Sequence, residues 1–125
     1  MSALFDHVTL GVSDIARARA FYNRIMPTLG VPLLWETATM LTYGKDGQDF
    51  GLQCDTASAR QGTHVAFAAP DRTSVDRFHA EALAAGGQDA GAPGLRPQYQ
   101  GRYYAAFILD PDGNRIEAVF HAPED

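Results

Sequence analysis

Two histidines and one glutamate are the side chains of this sequence whose types and positions favour chemistry at a metal ion. His7 and His64 each stand first in a short run of alternating apolar residues, HVTLGV and HVAFA. Glu117 lies in the run RIEAVF, where its immediate neighbours are apolar. An ionised carboxylate in an apolar strand is costly unless it is paired or binds a metal. Two imidazoles and one carboxylate form a facial set suited to divalent Fe, Mn, Zn, Ni or Co, with positions open for a substrate.

A purely structural role for each of these residues stays open at this point. A single histidine near the start of a strand is more often a satisfied polar residue than a ligand. Glu117 could pair with Arg115 or Arg102 in an ion pair of little functional consequence. A shared site therefore requires that the fold place the two histidines in equivalent positions.

An internal repeat provides that equivalence. Residues 6–30 align without a gap with residues 63–87. The identical pairs are His7 with His64, Val8 with Val65, Asp14 with Asp71, Phe21 with Phe78, and Gly30 with Gly87. In each copy an alternating run predicts a strand, an aspartate predicts a helix N-cap, and an amphipathic helix follows. Because side chains alternate across a strand, both histidines are expected to point away from the helices.

Turn signals divide the rest of each half into further strands. An Asp-Gly pair follows Lys45, and a second one lies in the Asp110–Asn114 segment; such pairs favour hairpin turns. The further strands are predicted at Leu33–Glu36, Met40–Tyr43, Asp49–Cys54, Tyr103–Leu109 and Arg115–Phe120. Residues 90–102 are rich in Gly and Pro and predict a long ordered loop. Each half is predicted to be β-α-β-β-β, although these ranges give the second half only two of the three strands after its helix.

The composition excludes several classes of partner. The net charge is −5 and the basic residues are scattered, which argues against a nucleic-acid partner. Cys54 is the only cysteine, so the chain forms no intrachain disulfide, and a reducing compartment is favoured. The first residues lack the basic and apolar pattern of a signal peptide, and no apolar run approaches the ~20 residues of a membrane helix. We expect a cytoplasmic protein that binds neither nucleic acid nor membrane.

Three stretches of the sequence resemble the vicinal oxygen chelate superfamily. They are D-H-V-x-L-x-V-x-D followed by A-x-x-F-Y, then H-V-A-F, and finally D-P-D-G-N-R-I-E near the C-terminus. That superfamily includes glyoxalase I, fosfomycin-resistance enzymes, bleomycin-binding proteins and extradiol dioxygenases. The resemblance covers residues 5–120. It implies an α+β fold in which two tandem βαβββ modules form curved mixed sheets around a cavity, commonly as a homodimer. The single domain, residues 1–125, would comprise module one (4–54), a linker (55–62) and module two (63–121).

The resemblance also implies a set of metal ligands. His7 matches the first ligand position of the superfamily, His64 the third and Glu117 the fourth. In a glyoxalase-type reaction the metal-bound carboxylate of Glu117, or a metal-bound water, would shuttle a proton. The second position differs, because Gly51 aligns with Glu117 and has no side chain to offer. Gln53 is a weaker candidate that would serve if the first hairpin were longer by two residues. A three-ligand set resembles that of the fosfomycin-resistance enzymes.

The segment around residues 96–104 provides candidates for substrate binding. Arg96 could hold a carboxylate or phosphate by paired hydrogen bonds, and Tyr99 and Tyr103 lie near it in the sequence. The alternative is that the aromatic side chains only pack the loop.

Two functions of different classes fit these features. The first is a metal-dependent lyase, isomerase or transferase that uses Zn, Ni, Mn or Fe on a small oxygen-bearing substrate. The second is a metal-free protein that binds and sequesters a small molecule, as bleomycin-binding proteins do. The superfamily supports both on one scaffold, so the substrate does not follow from the fold.

Overall fold

A computed structural model describes residues 5–55, 63–99 and 102–123, so the predicted linker lies outside the described residues except for Asp55. Each half has one strand, one helix and three further strands. In chain order the elements are β1 His7–Val12, α1 Ile15–Ile25, a 3-10 helix Met26–Leu29, β2 Leu33–Glu36, β3 Met40–Lys45, β4 Gln48–Cys54, β5 His64–Ala68, α2 Arg72–Ala84, β6 Gln88–Leu95, β7 Arg102–Leu109 and β8 Arg115–Ala122.

The strands form two mixed four-stranded sheets, one from each half of the chain. The first sheet has the strand order β1-β4-β3-β2, and the second sheet has the order β5-β8-β7-β6. In each sheet the first strand pairs in parallel with the last one, and the other neighbours are antiparallel. Both sheets are open. This arrangement confirms the predicted α+β fold of two tandem βαβββ modules.

Aspartates begin both helices, as the repeat predicts. The Asp14 carboxylate accepts a hydrogen bond from the Arg17 backbone N–H at 3.1 Å, and Asp71 accepts from the Ser74 backbone N–H at 2.7 Å. Each carboxylate satisfies a backbone donor that the first helical turn leaves free. Within the described residues, neither helix is long and apolar enough to cross a membrane.

The core lies on the helix side of both sheets. α1 and α2 pack against each other, and the rings of Phe50 and Phe67 meet edge to face with centroids 4.9 Å apart. Phe50 belongs to the first sheet and Phe67 to the second, so the two modules share one apolar core. The other side of each sheet has no helix packed on it in the described part of the chain, and we call it the open face. His7 and His64 are both largely exposed there.

The predicted loop over residues 90–102 is wrong in its first half. β6 includes Ala90–Leu95 and pairs antiparallel with β7. It is an edge strand, where the missing N–H of Pro93 is tolerated, and register shifts beside Gly91 accommodate the irregular sequence. The turn that follows is described as far as Tyr99, and residues 100–101 lie outside the described part.

The turn between β7 and β8 joins the second module to the first. The Tyr22 hydroxyl of α1 donates to Asp110 Oδ2 at 2.6 Å, and the Asn114 amide donates to the Gly11 carbonyl at 3.3 Å. Tyr22, Asp110 and Asn114 are all buried. The Asp-Pro-Asp-Gly-Asn turn therefore forms part of the contact between modules as well as a hairpin.

Candidate functional site

His64, Glu117 and Tyr103 form a hydrogen-bonded cluster on the open face of the second sheet. β5 and β8 run in parallel with Ala66 opposite Glu117, which brings the His64 ring to the carboxylate. His64 Nε2 lies 2.8 Å from Glu117 Oε1, and the Tyr103 hydroxyl donates to Glu117 Oε2. Because an ionised carboxylate only accepts hydrogen bonds, the Nε2–H of His64 is the donor. Both oxygens of a side chain that is only 2% exposed are thus satisfied.

The environment of Tyr103 keeps its hydroxyl protonated. Burial raises the pKa of the Tyr103 phenol above its ordinary value, and the hydrogen bond to Glu117 and the carboxylate's charge raise this pKa further. Tyr99 lies against it with ring centroids 4.6 Å apart. Tyr103 therefore acts as a hydrogen-bond donor to Glu117 near neutral pH.

His7 lies at the equivalent position of the first sheet and does not join this cluster. Its Nδ1 is 2.8 Å from the Asp6 carboxylate, which holds the proton on Nδ1. The Nε2 of a neutral His7 ring therefore presents a lone pair, the form that binds a metal. The described residues contain no group of three His, Cys, Asp or Glu side chains that could hold one ion. The structure thus brings two of the three predicted ligands together.

The sheet register decides which residue stands opposite Glu117. Gly51 pairs with Thr9 of β1 as Glu117 pairs with Ala66 of β5. The first hairpin turns through two residues, between Lys45 and Gln48, whereas the second turns through the five residues 110–114. The first hairpin is therefore the shorter one. Gln53 would take the ligand position only if the first hairpin were longer by two residues, and this is not the case. Gln53 is also exposed.

The His64–Glu117 pair has the separation of two neighbouring metal ligands. Nitrogen and oxygen ligands lie ~2.0–2.2 Å from Zn²⁺, so two adjacent ligands are roughly 3 Å from each other. The observed 2.8 Å is close to this value. A metal would replace the proton that His64 and Glu117 now share. The pair can supply two protein ligands, and a three-ligand site needs a further one from outside this cluster.

Arg96 is partly engaged by the backbone. Its Nη1 and Nη2 donate to the Gly94 and Ala92 carbonyls at 2.8 and 2.7 Å, and its guanidinium lies 5.4 Å from the Phe107 ring centroid. Arg115 contacts the same ring at 4.8 Å. Arg115 was considered only as an ion-pair partner of Glu117, and Phe107 was not predicted as a neighbour of the site. Phe107 pairs with Glu117 across β7 and β8, and the predicted hairpin around the Asp110–Asn114 turn is the sequence signal that could have placed them side by side.

Comparison with known proteins identifies the family. The family model of the glyoxalase/bleomycin resistance protein/dioxygenase superfamily matches residues 4–118. The chain belongs to this superfamily. None of the curated proteins matches the chain.

Solved structures of the superfamily have the same fold. A glyoxalase/bleomycin resistance protein from Albidiferax ferrireducens T118 is 31% identical, with 94% of this chain and 99% of that chain covered and a TM-score of 0.85. A glyoxalase-related enzyme from Fulvimarina pelagi is 19% identical, with 96% and 88% covered and a TM-score of 0.76. A lactoylglutathione lyase from Agrobacterium tumefaciens is 21% identical, with 96% and 94% covered and a TM-score of 0.67. At 19% and 21% identity, the similarity to the last two structures concerns the fold alone.

Proposed function

We propose that the protein is a divalent-metal-dependent enzyme of the lyase, isomerase or transferase type that acts on a small oxygen-bearing substrate in the cytoplasm. One observation carries the proposal: His64 and the buried Glu117 lie side by side at 2.8 Å on an open sheet face. Keeping a carboxylate charged at this depth costs free energy unless the group is paired, hydrogen-bonded or bound to a metal. A buried ionisable side chain of this kind is therefore a candidate functional residue. Zn, Ni, Mn or Fe fits the nitrogen and oxygen donors.

A homodimer would provide the third ligand. His7 does not join the pair within one chain, yet it holds the matching position on the other open face. In a dimer with two-fold symmetry, every contact between the subunits occurs twice. His7 of the partner subunit would therefore complete each of two identical sites. We therefore propose a homodimer with shared sites.

The chain's own residues would divide the work at such a site. A bound metal would polarise the substrate oxygen. Glu117 would accept and return a proton at its carboxylate. Tyr103 would remain a neutral donor because the pKa of its phenol is raised. Arg96 would orient an anionic substrate with the guanidinium protons that Ala92 and Gly94 leave free.

Metal analysis tests this proposal. Protein purified without chelators, or incubated with Ni, Zn, Mn or Fe, should hold about one ion per chain, as a two-fold dimer with two sites requires. His64→Ala and Glu117→Gln should each weaken binding at least about tenfold, because each removes a ligand. His79→Gln, which changes a histidine on α2 away from the cluster, is the matched control. Less than a tenth of an equivalent, with no uptake of added metal, would refute metal dependence.

Mixing two inactive variants tests the shared site. His7→Ala keeps His64 and Glu117, and Glu117→Gln keeps His7. Heterodimers of the two variants would contain one intact site, so a refolded equimolar mixture should recover about a quarter of the wild-type sites by two-fold symmetry. A mixture that binds no more metal than either variant alone would refute sharing between subunits.

A metal-free binding protein is the second candidate. The observation that favours it is that His64 and Tyr103 already satisfy both oxygens of Glu117. A thermal-shift screen separates the two functions. Stabilisation by an organic compound at constant metal content favours binding alone, and a ligand at 100 times its Kd should add ~2.7 kcal/mol to the free energy of unfolding. Stabilisation by divalent metal favours the enzyme.

A further inference from the structure

A cavity of about 450 Å³ lies between the first sheet and the helical layer, on the side of the sheet opposite to its open face. We call it the helix-side pocket. Its lining residues are Asn23, Pro27, Gly30, Val31, Pro32, Leu33 and Tyr43. Tyr43 belongs to the shared apolar core, and the candidate metal ligands are not among the lining residues. Ligand pockets have volumes of ~300–1,000 Å³, so this one has room for a ring with a short chain.

The pocket lies where the two modules differ after their first helix. Pro27 aligns with Ala84 in the repeat. α2 remains helical as far as Ala84, whereas α1 ends at Ile25 and a 3-10 helix that contains Pro27 follows. Proline has no N–H and its ring clashes with the preceding helical turn, so α1 does not continue past this point. The pocket therefore follows from the sequence of module one and not from the duplication.

The walls of the pocket are mainly apolar. Two prolines, a valine and a leucine face the ring of Tyr43, which is buried. The Tyr43 hydroxyl is engaged, because it donates to Asn23 Oδ1 at 2.6 Å. The amide nitrogen of Asn23 has no acceptor among the described residues and can donate to a ligand. Such walls favour a ligand with a compact apolar body, and an aromatic ring can pack against Tyr43.

Lys45 provides a positive charge at the edge of the pocket. It lies two residues after Tyr43 on β3, so both side chains are on the same side of the sheet. Lys45 Nζ donates to the Leu29 carbonyl at 3.2 Å, and a Cβ on Gly30 would lie 3.9 Å from Nζ. Gly30 has a φ of 73°, which favours glycine, and its missing side chain leaves Nζ within reach of the pocket.

The ammonium group of Lys45 has capacity for a further partner. It carries three N–H donors, and the Leu29 carbonyl accepts from one of them. Within the described part of the chain, no carboxylate lies within ion-pair distance of Lys45. The pocket thus combines apolar walls with one cation whose charge is not neutralised by an ion pair there.

We propose that the helix-side pocket binds a small carboxylic acid in its ionised form. The carboxylate would accept a charge-assisted hydrogen bond from Lys45, which is stronger than a neutral one. The apolar body of the ligand would lie between the two prolines and the Tyr43 ring. A cation of the same shape would be repelled by Lys45. This site goes beyond the proposed metal chemistry, since it lies on the other side of the sheet and requires no metal.

An NMR titration of EDTA-treated protein with phenylacetate, phenylacetamide and phenethylamine tests the site. The three compounds share a ring and differ in charge. Phenylacetate should shift the amide signals of Gly30 and Val31 saturably, with an affinity at least about fivefold higher than that of phenylacetamide, as expected for a hydrogen bond to a charged group. Phenethylamine, the cation, should bind more weakly than either.

Lys45 is also a direct reporter, because it is the only lysine of the chain. Reductive methylation with isotope-labelled formaldehyde keeps its positive charge and gives one lysine methyl signal. Phenylacetate should shift this signal over the same concentrations that shift Gly30 and Val31. A lysine signal that stays constant while the ligand saturates the pocket would contradict the role of Lys45.

Variants separate the pocket from a general effect of charge. Lys45→Gln should abolish the preference for phenylacetate over phenylacetamide, while Arg77→Gln, which removes the same charge from α2, should retain it. Val31→Phe should fill the pocket and weaken the binding of both compounds. Leu95→Phe, which adds a ring at the edge of the second sheet, should leave binding unchanged, and circular dichroism checks the folding of each variant.

Three outcomes would each overturn the proposal: an unchanged preference in Lys45→Gln, equal affinity for phenylacetate and phenethylamine, or no saturable shift at Gly30 and Val31. Phenylacetate shifts confined to β7 and β8 would place the compound beside Arg96 on the open face, and would overturn the proposal as well. Because EDTA is present throughout, these outcomes are independent of the metal-binding test.

Discussion

Glu117 and Gly51 occupy equivalent positions in the two sheets and have opposite consequences. Glu117 fills its position with a charge that His64 and Tyr103 must satisfy. Gly51 leaves its position empty, and a cavity of about 230 Å³ lies there, lined by residues that include His7, Thr42 and Gly51. The duplicated scaffold thus has a polar cluster on one open face and a cavity on the other. The chemistry of each face therefore depends on the residue at this position, Glu117 in the second sheet and Gly51 in the first.

The hydrogen bond from Tyr22 to Asp110 allows a measurement of how strongly one hydrogen bond to a carboxylate stabilises this fold. Tyr22→Phe removes the hydroxyl that donates to the buried Asp110 at 2.6 Å. Hydrogen bonds to charged groups contribute ~1.5–3 kcal/mol, so urea unfolding should show a loss of about 2 kcal/mol in the free energy of unfolding. Tyr43→Phe is the matched control, since its hydroxyl donates to the neutral Asn23 amide at 2.6 Å. This second change should cost about 1 kcal/mol. Equal losses in the two variants would contradict the role of the Asp110 charge.

The helices and strands differ in how far the sequence predicts them. Asp14 and Asp71 act within one helical turn, so their capping role follows from local sequence, and the structure confirms it. β6 was missed because its Gly- and Pro-rich sequence lacks local strand signals. It is a strand because β7 offers it a partner, which is a non-local interaction. The open-face positions of His7 and His64 followed from alternation along one strand, whereas their separation depends on how two sheets pack.

The N-cap residue of α2, Asp71, predicts that the stability of the folded protein depends on pH. Hydrogen bonds from Ser74, the backbone N–H first, lower the pKa of Asp71 below its ordinary value. The folded state therefore binds fewer protons at this group than the unfolded state does. The stabilisation is complete above the ordinary pKa of an aspartate and disappears as the pH falls through the lower folded-state pKa. Asp71→Asn keeps an acceptor but does not titrate. The melting temperature of the wild type should exceed that of the variant at pH 6, and the gap should close towards pH 2; a constant gap would contradict this.

At the scale of the molecule, the two modules are linked by polar contacts that the repeat alone does not predict. Asn114 is fully buried; its amide nitrogen donates to Asp110 and to the Gly11 carbonyl, and its amide oxygen accepts from the Thr63 hydroxyl at 2.7 Å. Sequence identified the turn that contains Asn114 but not the contact with β1, because that contact joins residues about a hundred positions apart in the chain. The single domain therefore stays a prediction that this contact can test.

Removing the Asn114 side chain should destabilise both modules together. Asn114→Ala deletes three hydrogen bonds in a buried setting, and we expect a loss of about 3 kcal/mol in the free energy of unfolding. Trp35 fluorescence reports unfolding of the first module, and amide hydrogen exchange in β7 reports the second. If the shared core makes one cooperative unit, both probes should shift by the same amount. Asn23→Ala, which breaks one hydrogen bond within module one, should shift both by about 1 kcal/mol. Faster exchange in β7 with an unchanged Trp35 transition would mean that the modules unfold separately, and the chain would then be two domains rather than one.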